Sequence, residues 1–195
     1  MNELTIVYQS YIPADLITDF TQLVQPVKVD KKEVKIGALN HFDAPEINDI
    51  IIYISQHPVV AGIISNAIWA GIILLWVGLS KFPIKYLYSN GKKTDKQKVI
   101  SLRLYDKTKG IEVFFKGDVN EEQADIIIDS LKEFLSSDKV DDAFYDSDNI
   151  PENSKKPVIN LVYNKKKKIW EPENFGEKNR QRDEFKDRLR KNSKS

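Results

Sequence analysis

Few residues in the chain could do chemistry, because its 195 residues include two histidines and no cysteine. His41, Asp43 and Glu46 lie in one short segment, where an imidazole and two carboxylates could bind a divalent metal. The same residues also fit a helix start, in which Asp43 caps a helix that begins near Pro45 and Glu46 favours its N-terminal dipole. We prefer the capping interpretation. His57 precedes a proline between two predicted helices, and we interpret it as a connector residue.

The sequence lacks the short motifs that are typical of enzymes. It contains no glycine-rich phosphate loop, no G-x-S-x-G nucleophile elbow and no H-E-x-x-H zinc motif. The absence of cysteine excludes disulfides, thiolate metal sites and cysteine nucleophiles. Aspartates are frequent between residues 138 and 148, but they lack the spacing of a calcium-binding loop. We therefore expect no catalytic residue, no cofactor and no bound metal.

Four consecutive lysines, Lys165, Lys166, Lys167 and Lys168, form the strongest local concentration of positive charge. They could contact the phosphates of an anionic membrane or of a nucleic acid. A charged hairpin turn that blocks pairing at a sheet edge also explains them, and we favour this interpretation. Because no aromatic residues are interleaved with the lysines, nucleic acid is the less favoured partner.

Residues 59–79 contain no ionisable side chain, although the rest of the chain is rich in charge. A helix of this length rises about 30 Å, which is close to the hydrocarbon thickness of a bilayer. The segment is therefore either a membrane span or a helix buried in the core, and we leave both interpretations open. A helix that lies in the plane of the membrane interface is less favoured, because the segment lacks a polar face. Gly62, Asn66 and Gly71 are the small and polar residues through which such a helix could pack on a partner or on a second copy.

The periodicity of apolar residues predicts an α+β fold with a mostly antiparallel sheet, helices on one face and the apolar helix 59–79 at its centre. Asn120 is a suitable N-cap for an amphipathic helix that extends to residue 135. The expected elements, in chain order, are a strand at 3–10, a helix from Pro13 to Pro26, two short strands in 27–36 with a charged turn at 30–32, a helix at 46–54, and a hairpin of 99–105 with 111–116.

The charge pattern divides the chain into four parts. Residues 1–137 form the expected α+β domain, and residues 138–157 read as an acidic, mobile linker. Residues 158–172 predict another hairpin, which could add to the edge of the sheet. Residues 173–195 form a basic tail, interpreted as a frayed helix or a disordered segment.

The chain resembles a family of small bacterial proteins called effector-associated constant components, which accompany effectors in conflict or defence systems. The resemblance depends on the sequence Pro58-Val-Val-Ala-Gly-Ile-Ile, on the hairpin strands within 99–116 and on Gly117-Asp-Val-Asn-Glu-Glu. It covers roughly residues 1–137 and includes no catalytic motif. It implies a non-enzymatic adaptor or signalling role, and it assigns no functional residue.

These observations favour a non-enzymatic interaction protein that binds a protein partner or a second copy of itself. An anionic membrane is a further possible partner, through the basic segments. The alternatives are a single-span membrane effector that oligomerises through residues 59–79 and, less favoured, a metal-dependent enzyme. The N-terminus lacks a secretory signal, so we expect a cytoplasmic protein. If the apolar helix spans a membrane, the lysines that follow it predict that residues 80–195 lie inside the cell.

Overall fold

The computed structural model describes residues 3–34, 49–55, 66–82, 85–87, 93–95, 97–105, 108–150, 156–180 and 183–184. These residues form nine strands, four α-helices, a short 3-10 turn and a further helical stretch at residues 175–180. In chain order the elements are β1 (Glu3–Gln9), α1 (Ala14–Leu23), β2 (Lys28–Val34), β3 (Ile50–Ser55), α2 (Asn66–Ser80), β4 (Lys85–Leu87), β5 (Lys93–Asp95), β6 (Val99–Tyr105), β7 (Gly110–Lys116), α3 (Glu121–Leu135), α4 (Lys139–Tyr145), the 3-10 turn (Ser147–Asn149), β8 (Val158–Asn164) and β9 (Ile169–Pro172).

Seven strands form one mixed sheet in the order β2-β1-β3-β6-β7-β8-β9, and β4 pairs with β5 separately. The α+β class is confirmed, but the expectation of a mostly antiparallel sheet is wrong. Parallel and antiparallel neighbours alternate across the large sheet. A helix lies in the connection between the strands of each parallel pair, whereas the tight hairpins β6–β7 and β8–β9 are antiparallel. Helical crossovers return the chain in the same direction, which is why they produce parallel pairs.

One face of the sheet is a continuous apolar surface, because the register aligns the buried residues of its central strands. Aligned across five neighbouring strands are Ile6, Ile52, Leu102, Val113 and Leu161. All five are fully buried. Helices α1, α2 and α3 contribute to the same hydrophobic cluster, with α2 between the other two. We call this the core face of the sheet, and most of the apolar surface that folding buries lies against it.

Helix α2 is apolar on the three sides where it contacts neighbours. It touches α1 and α3, and the Trp76 ring lies 5.1 Å from the ring of Phe115 on the sheet. The Trp76 indole Nε1 donates to the carbonyl oxygen of Gly117 at 2.9 Å, so the buried polar atom is satisfied. The helix covers residues 66–80 of the apolar segment, and residues 59–65 lie outside the described ranges. Within those ranges, no helix combines the length and the apolar character needed to cross a bilayer.

Two predicted elements near the N-terminus are wrong. The helix expected at 46–54 is instead strand β3 over its described part, between β1 and β6. Its run of isoleucines suits a central strand that has neighbours on both sides. Over the described residues 27–34, the two strands expected in 27–36 are instead the single strand β2, and residues 30–32 lie inside it instead of forming a turn. Because β2 is an edge strand, its charged side chains remain in water.

Several other predictions are confirmed. Strand β1, helix α1 and the β6–β7 hairpin lie where the sequence predicts them. Asn120 caps α3, since its Oδ1 accepts from the backbone N of Gln123 at 2.8 Å. The Gln123 side chain accepts in return from the backbone N of Asn120, which completes a capping box.

The acidic linker expected at 138–157 is wrong for residues 138–150, which contain helix α4 and the 3-10 turn. Val140 and Ala143 of α4 are buried in the core, and the buried Asn149 donates to the carbonyl oxygen of Ala143 at 3.1 Å. The hairpin expected at 158–172 is confirmed as β8–β9, and β8 joins the large sheet by pairing with β7. Of the expected basic tail, residues 175–180 are helical.

The two glycines of α2 provide a test of its packing against α1. A Cβ atom at Gly71 would lie 2.8 Å from the Phe20 ring and 2.9 Å from Val24, both fully buried. A Cβ at Gly78 would meet only the end of the half-buried Leu16 side chain, which can rotate. Both Gly→Ala changes gain similar helix propensity, so the difference between them isolates the steric cost. We expect Gly71→Ala to be less stable than Gly78→Ala by about 1–3 kcal/mol in urea unfolding.

Equal stability of the two alanine variants would contradict the close approach of α1 and α2 at Gly71. The wild-type protein, measured under the same conditions, shows whether Gly78→Ala is neutral or stabilising.

Candidate interaction surface

Several residues singled out from the sequence lie outside the described ranges. They are His41, Asp43, Glu46, His57 and Gly62. Their predicted roles therefore stay predictions. Among the described residues, no three His, Asp or Glu side chains are grouped so that they could hold a metal ion.

Asn66 and Gly71, predicted to mediate self-association, lie at different depths on α2. Asn66 is its first residue and is exposed, whereas Gly71 is buried. The absent side chain of Gly71 lets Phe20 and Val24 of α1 approach the helix closely. Packing within the chain is thus sufficient to explain the glycine, and a role in self-association stays a prediction.

The four lysines at 165–168 form the turn of the β8–β9 hairpin. The Asn164 side chain accepts from the backbone N atoms of Lys166 and Lys167, both at 3.1 Å. The Lys167 ammonium pairs with Glu171 at 2.7 Å, and Lys168 has a positive φ of 56°. The turn geometry is therefore set by Asn164, while all four lysines are exposed to solvent. Their binding to an anionic partner stays a prediction.

The second face of the large sheet carries a row of polar side chains that crosses five strands. In register across β1, β3, β6, β7 and β8 lie Thr5, Tyr53, Arg103, Glu112 and Asn160. Because side chains alternate along a strand, this row points away from the face that α1–α3 cover. We call this face the second sheet face. It contains this polar row and a neighbouring apolar row.

The centre of the polar row is a network around the Glu112 carboxylate. Glu112 Oε1 accepts from Ser101 Oγ at 2.5 Å and from Arg103 Nε at 2.7 Å. Arg103 Nη1 donates to the Tyr53 hydroxyl oxygen at 2.8 Å, and the guanidinium also lies 5.3 Å from the centre of the Tyr53 ring. Charge-assisted hydrogen bonds of this kind are stronger than neutral ones. The network therefore fixes the orientation of Arg103 and Tyr53 on the sheet.

Two pKa values reflect this environment. Partial burial alone would lower the pKa of Arg103, but the Glu112 carboxylate outweighs it and raises that pKa. Burial raises the pKa of Tyr105, and the negative charge of Glu112 adds to the effect. At neutral pH Arg103 is therefore charged and Tyr105 carries its proton.

A second row beside the polar one is mainly apolar. It contains Val7, Ile51, Phe114 and Val162, with Ser101 between Ile51 and Phe114. The four apolar side chains are only half-buried, in contrast to those of the core face. The Lys116 ammonium lies 5.3 Å from the centre of the Phe114 ring, so a cation rests on this row. The second sheet face thus combines accessible apolar side chains with fixed polar ones.

The hydroxyl of Ser101 and the carboxylate of Glu112 have the chemical types of a nucleophile and its base. Ser101 is nevertheless fully buried, and the base is already paired with a guanidinium. A substrate would have to displace these contacts before reaching the hydroxyl. The arrangement suits recognition by half-buried tyrosine, arginine and phenylalanine side chains at the sheet surface better than it suits catalysis.

The sequence analysis did not find this network, although part of its signal is visible. In the predicted β6–β7 hairpin, pairing Leu104 with Ile111 places Arg103 opposite Glu112, which makes a favourable cross-strand pair. The position of Tyr53 next to Arg103 could not be predicted, because the segment that contains Tyr53 was predicted to be helical. The contact between Tyr53 and Arg103 joins residues fifty positions apart, and it depends on the parallel pairing of β3 with β6.

No protein-family model, no curated protein and no solved structure matches this chain. The resemblance to effector-associated constant components therefore stays a prediction, as does a role in a conflict or defence system.

Arg103 and Glu112 should stabilise the fold as a pair, so that the contribution of each side chain depends on the presence of the other. With only a quarter of the Arg103 side chain exposed, Arg103→Met leaves a nearly buried carboxylate without its counter-charge. We expect a loss of about 2–3 kcal/mol, somewhat below the cost of breaking a fully buried pair. In a double-mutant cycle with Glu112→Leu, urea unfolding should give a coupling energy of at least about 1 kcal/mol.

The matched control is the more exposed pair Lys167–Glu171. The same cycle with Lys167→Met and Glu171→Leu should give a coupling of about 0.5 kcal/mol or less, because solvent screens the pair. A coupling at Arg103–Glu112 no larger than this would show that the network does not hold the two strands together.

Glu173 follows β9 and gives a pH-dependent test at the end of the polar row. Burial alone would raise its pKa, but hydrogen bonds from Lys178 and Asn160 outweigh burial and bring the pKa below its ordinary value of 4.5. The folded chain therefore gains stability above pH 4.5 and loses it as the pH falls through the folded-state pKa. We expect Glu173→Gln to be less stable than wild type at pH 7, with the difference shrinking below pH 4.5.

Urea unfolding at a series of pH values measures this difference. Lys178→Met should lose part of this pH-dependent stability, because it removes one donor to Glu173 and leaves the hydrogen bond from Asn160. A difference between wild type and Glu173→Gln that stays constant from pH 7 to acid would contradict the assignment.

Proposed function

We propose that the chain is a non-enzymatic interaction protein that binds a partner protein through the second sheet face. The observation that carries this proposal is the pairing of two rows on that face. Half-buried Phe114 and Val162 lie beside Arg103 and Tyr53, whose side chains the Glu112 network orients. Arginine and tyrosine are over-represented among the residues that dominate binding energy at protein interfaces.

The rigidity of this face favours binding. The rows belong to five neighbouring strands of one sheet, so a partner would meet a surface that is already ordered. Little conformational entropy is then lost when the complex forms. The Arg103–Glu112 pair also satisfies its own charges before a partner arrives, so covering the face does not leave a buried charge without a partner.

The size of the face also fits a protein partner. Five strands spaced about 4.8 Å apart span roughly 20 Å across the rows, which is wide enough for a segment of a protein partner to lie across them. A small molecule would need a concave pocket, whereas these rows run across the strands of a sheet.

Affinity capture with the purified full chain as bait tests the proposal. Phe114→Glu places a charge in the centre of the apolar row, and we expect it to weaken binding of a captured partner by at least about 10-fold. The partner is identified by mass spectrometry, and its Kd for each purified bait variant is then measured by calorimetry.

Tyr145→Glu is the matched control, because Tyr145 is 88% exposed on α4 and lies on neither row. It should leave the Kd unchanged, and circular dichroism should show that both variants are folded. A partner that binds Phe114→Glu as tightly as wild type contradicts the proposed surface. Substrate turnover by the purified chain that is lost on changing His41 or Asp43 contradicts the non-enzymatic function.

A further inference from the structure

The outer side of the helix layer forms a second surface, distinct from the second sheet face. On the side of α2 opposite its buried residues lie four half-buried apolar residues, namely Ala67, Ala70, Leu74 and Val77. Their spacing places them on one side of the helix. We call these four residues, together with Leu23 of α1, the outer helix surface.

Leu23 belongs to this surface because of its position on α1. It is 42% exposed. On the same side of that helix, Asp19 lies one turn before it and Leu16 two turns before it. That side is turned to α2, since Leu16 approaches Gly78. The small side chains of Ala67 and Ala70 form a shallow floor on which another helix can approach closely.

Carboxylates border the outer helix surface, which is an apolar strip, on both sides, and we call these carboxylates the acidic rims. Helices α1 and α3 carry seven acidic side chains and one lysine, and α2 carries no charge. The acidic residues, all exposed, are Asp15, Asp19, Glu121, Glu122, Asp125, Asp129 and Glu133. The lysine, Lys132, is half-buried, pairs with Asp129 at 2.8 Å and lies over the Trp69 ring.

The strip continues into an open cleft at the C-terminal end of α2. The cleft has a volume of about 540 Å³. Its lining includes Val77, Ser80, Lys81, Asp118, Asn120 and Glu121. The Ser80 hydroxyl, the Asn120 amide and the Asp118 carboxylate in this lining already bond within the chain. The cleft therefore offers space, and not these polar groups, to the end of a helix that lies along α2.

The charge pattern selects among possible occupants. An anionic lipid surface or a nucleic acid would face seven carboxylates and be repelled. Two copies of the chain packed through the same surface would bring like charges together, as a two-fold symmetric contact requires. A helix with apolar residues on one face and lysine or arginine on its flanks would fill the strip and pair with both rims.

We infer that the outer helix surface binds a basic amphipathic helix of a partner protein. The helix lies along α2, its apolar face covers Leu74 and Val77, and its cationic flanks pair with α1 and α3. This binding is independent of the second sheet face, which lies on the other side of the sheet.

A designed peptide tests this inference without a known partner. The probe is a fluorescent helix of leucine and lysine, about 15 residues long to match α2, with leucines at i, i+3, i+4 and i+7. Its control has the same composition in an order that scatters the leucines around the helix. Fluorescence anisotropy with the full chain should show saturable binding of the amphipathic probe and binding of the scattered one that is weaker by about 10-fold or more.

Reversing the rims distinguishes this surface from general attraction between charges. Asp19→Lys combined with Asp125→Lys should weaken probe binding by about 10-fold or more. Asp138→Lys combined with Asp142→Lys makes the same change of net charge near and on α4, and it should alter the Kd by less than about two-fold. Leu74→Ser should also weaken binding, while Phe114→Glu on the second sheet face should leave it unchanged.

Equal weakening by the two charge reversals, or equal binding of the two peptides, overturns the inference. Loss of binding with Phe114→Glu alone would place the probe on the second sheet face and overturn it as well. Sedimentation equilibrium provides a further check, because a dimer that dissociates with the rim reversal would identify a second copy as the occupant.

Discussion

The structure depends on covering one large apolar sheet face. Five neighbouring strands align fully buried side chains there, and the isoleucines of β3 lie in the middle. Exposing such a face to water would cost far more than the stability of a typical domain. Helix α2 must therefore contact the sheet beneath it and a helix on each side, which leaves no position on its inner three sides where a charge would be tolerated. The apolarity of these three sides follows from this central position, whereas the apolar outer side of α2 is not explained by it.

The same constraint explains why the chemistry of the molecule lies elsewhere. With one face committed to the core, charged and polar groups collect on the second sheet face and on the outer helices. On the sheet they must be satisfied locally, because Ser101 is fully buried and Glu112 nearly so. The bonds from Ser101 and Arg103 to one carboxylate meet that requirement. The network is thus a condition of placing polar residues on central strands, and it leaves Tyr53 and Arg103 ordered.

Sequence reasoning succeeded where local pattern and tertiary environment agree. The β6–β7 hairpin alternates clearly, and Asn120 with Gln123 makes a capping box from local contacts alone. Prediction failed where tertiary packing decides which element forms. The isoleucines at 50–54 carry no alternation, so a central strand could not be distinguished from a buried helix by period. Helix α4 is fixed by two buried residues within an acidic segment, a signal too small to outweigh the charge.

The surfaces of the candidate sites were harder to predict than the fold, for a related reason. Each depends on residues brought together by pairing between distant strands or by helix packing, as Tyr53 and Arg103 show. The second sheet face and the outer helix surface lie on opposite sides of the layered structure, roughly 10 Å or more apart through the core. Partners bound there would not collide with each other. One small domain could then hold two proteins at once, and any coupling between them would have to pass through packed residues such as Phe115 and Trp76.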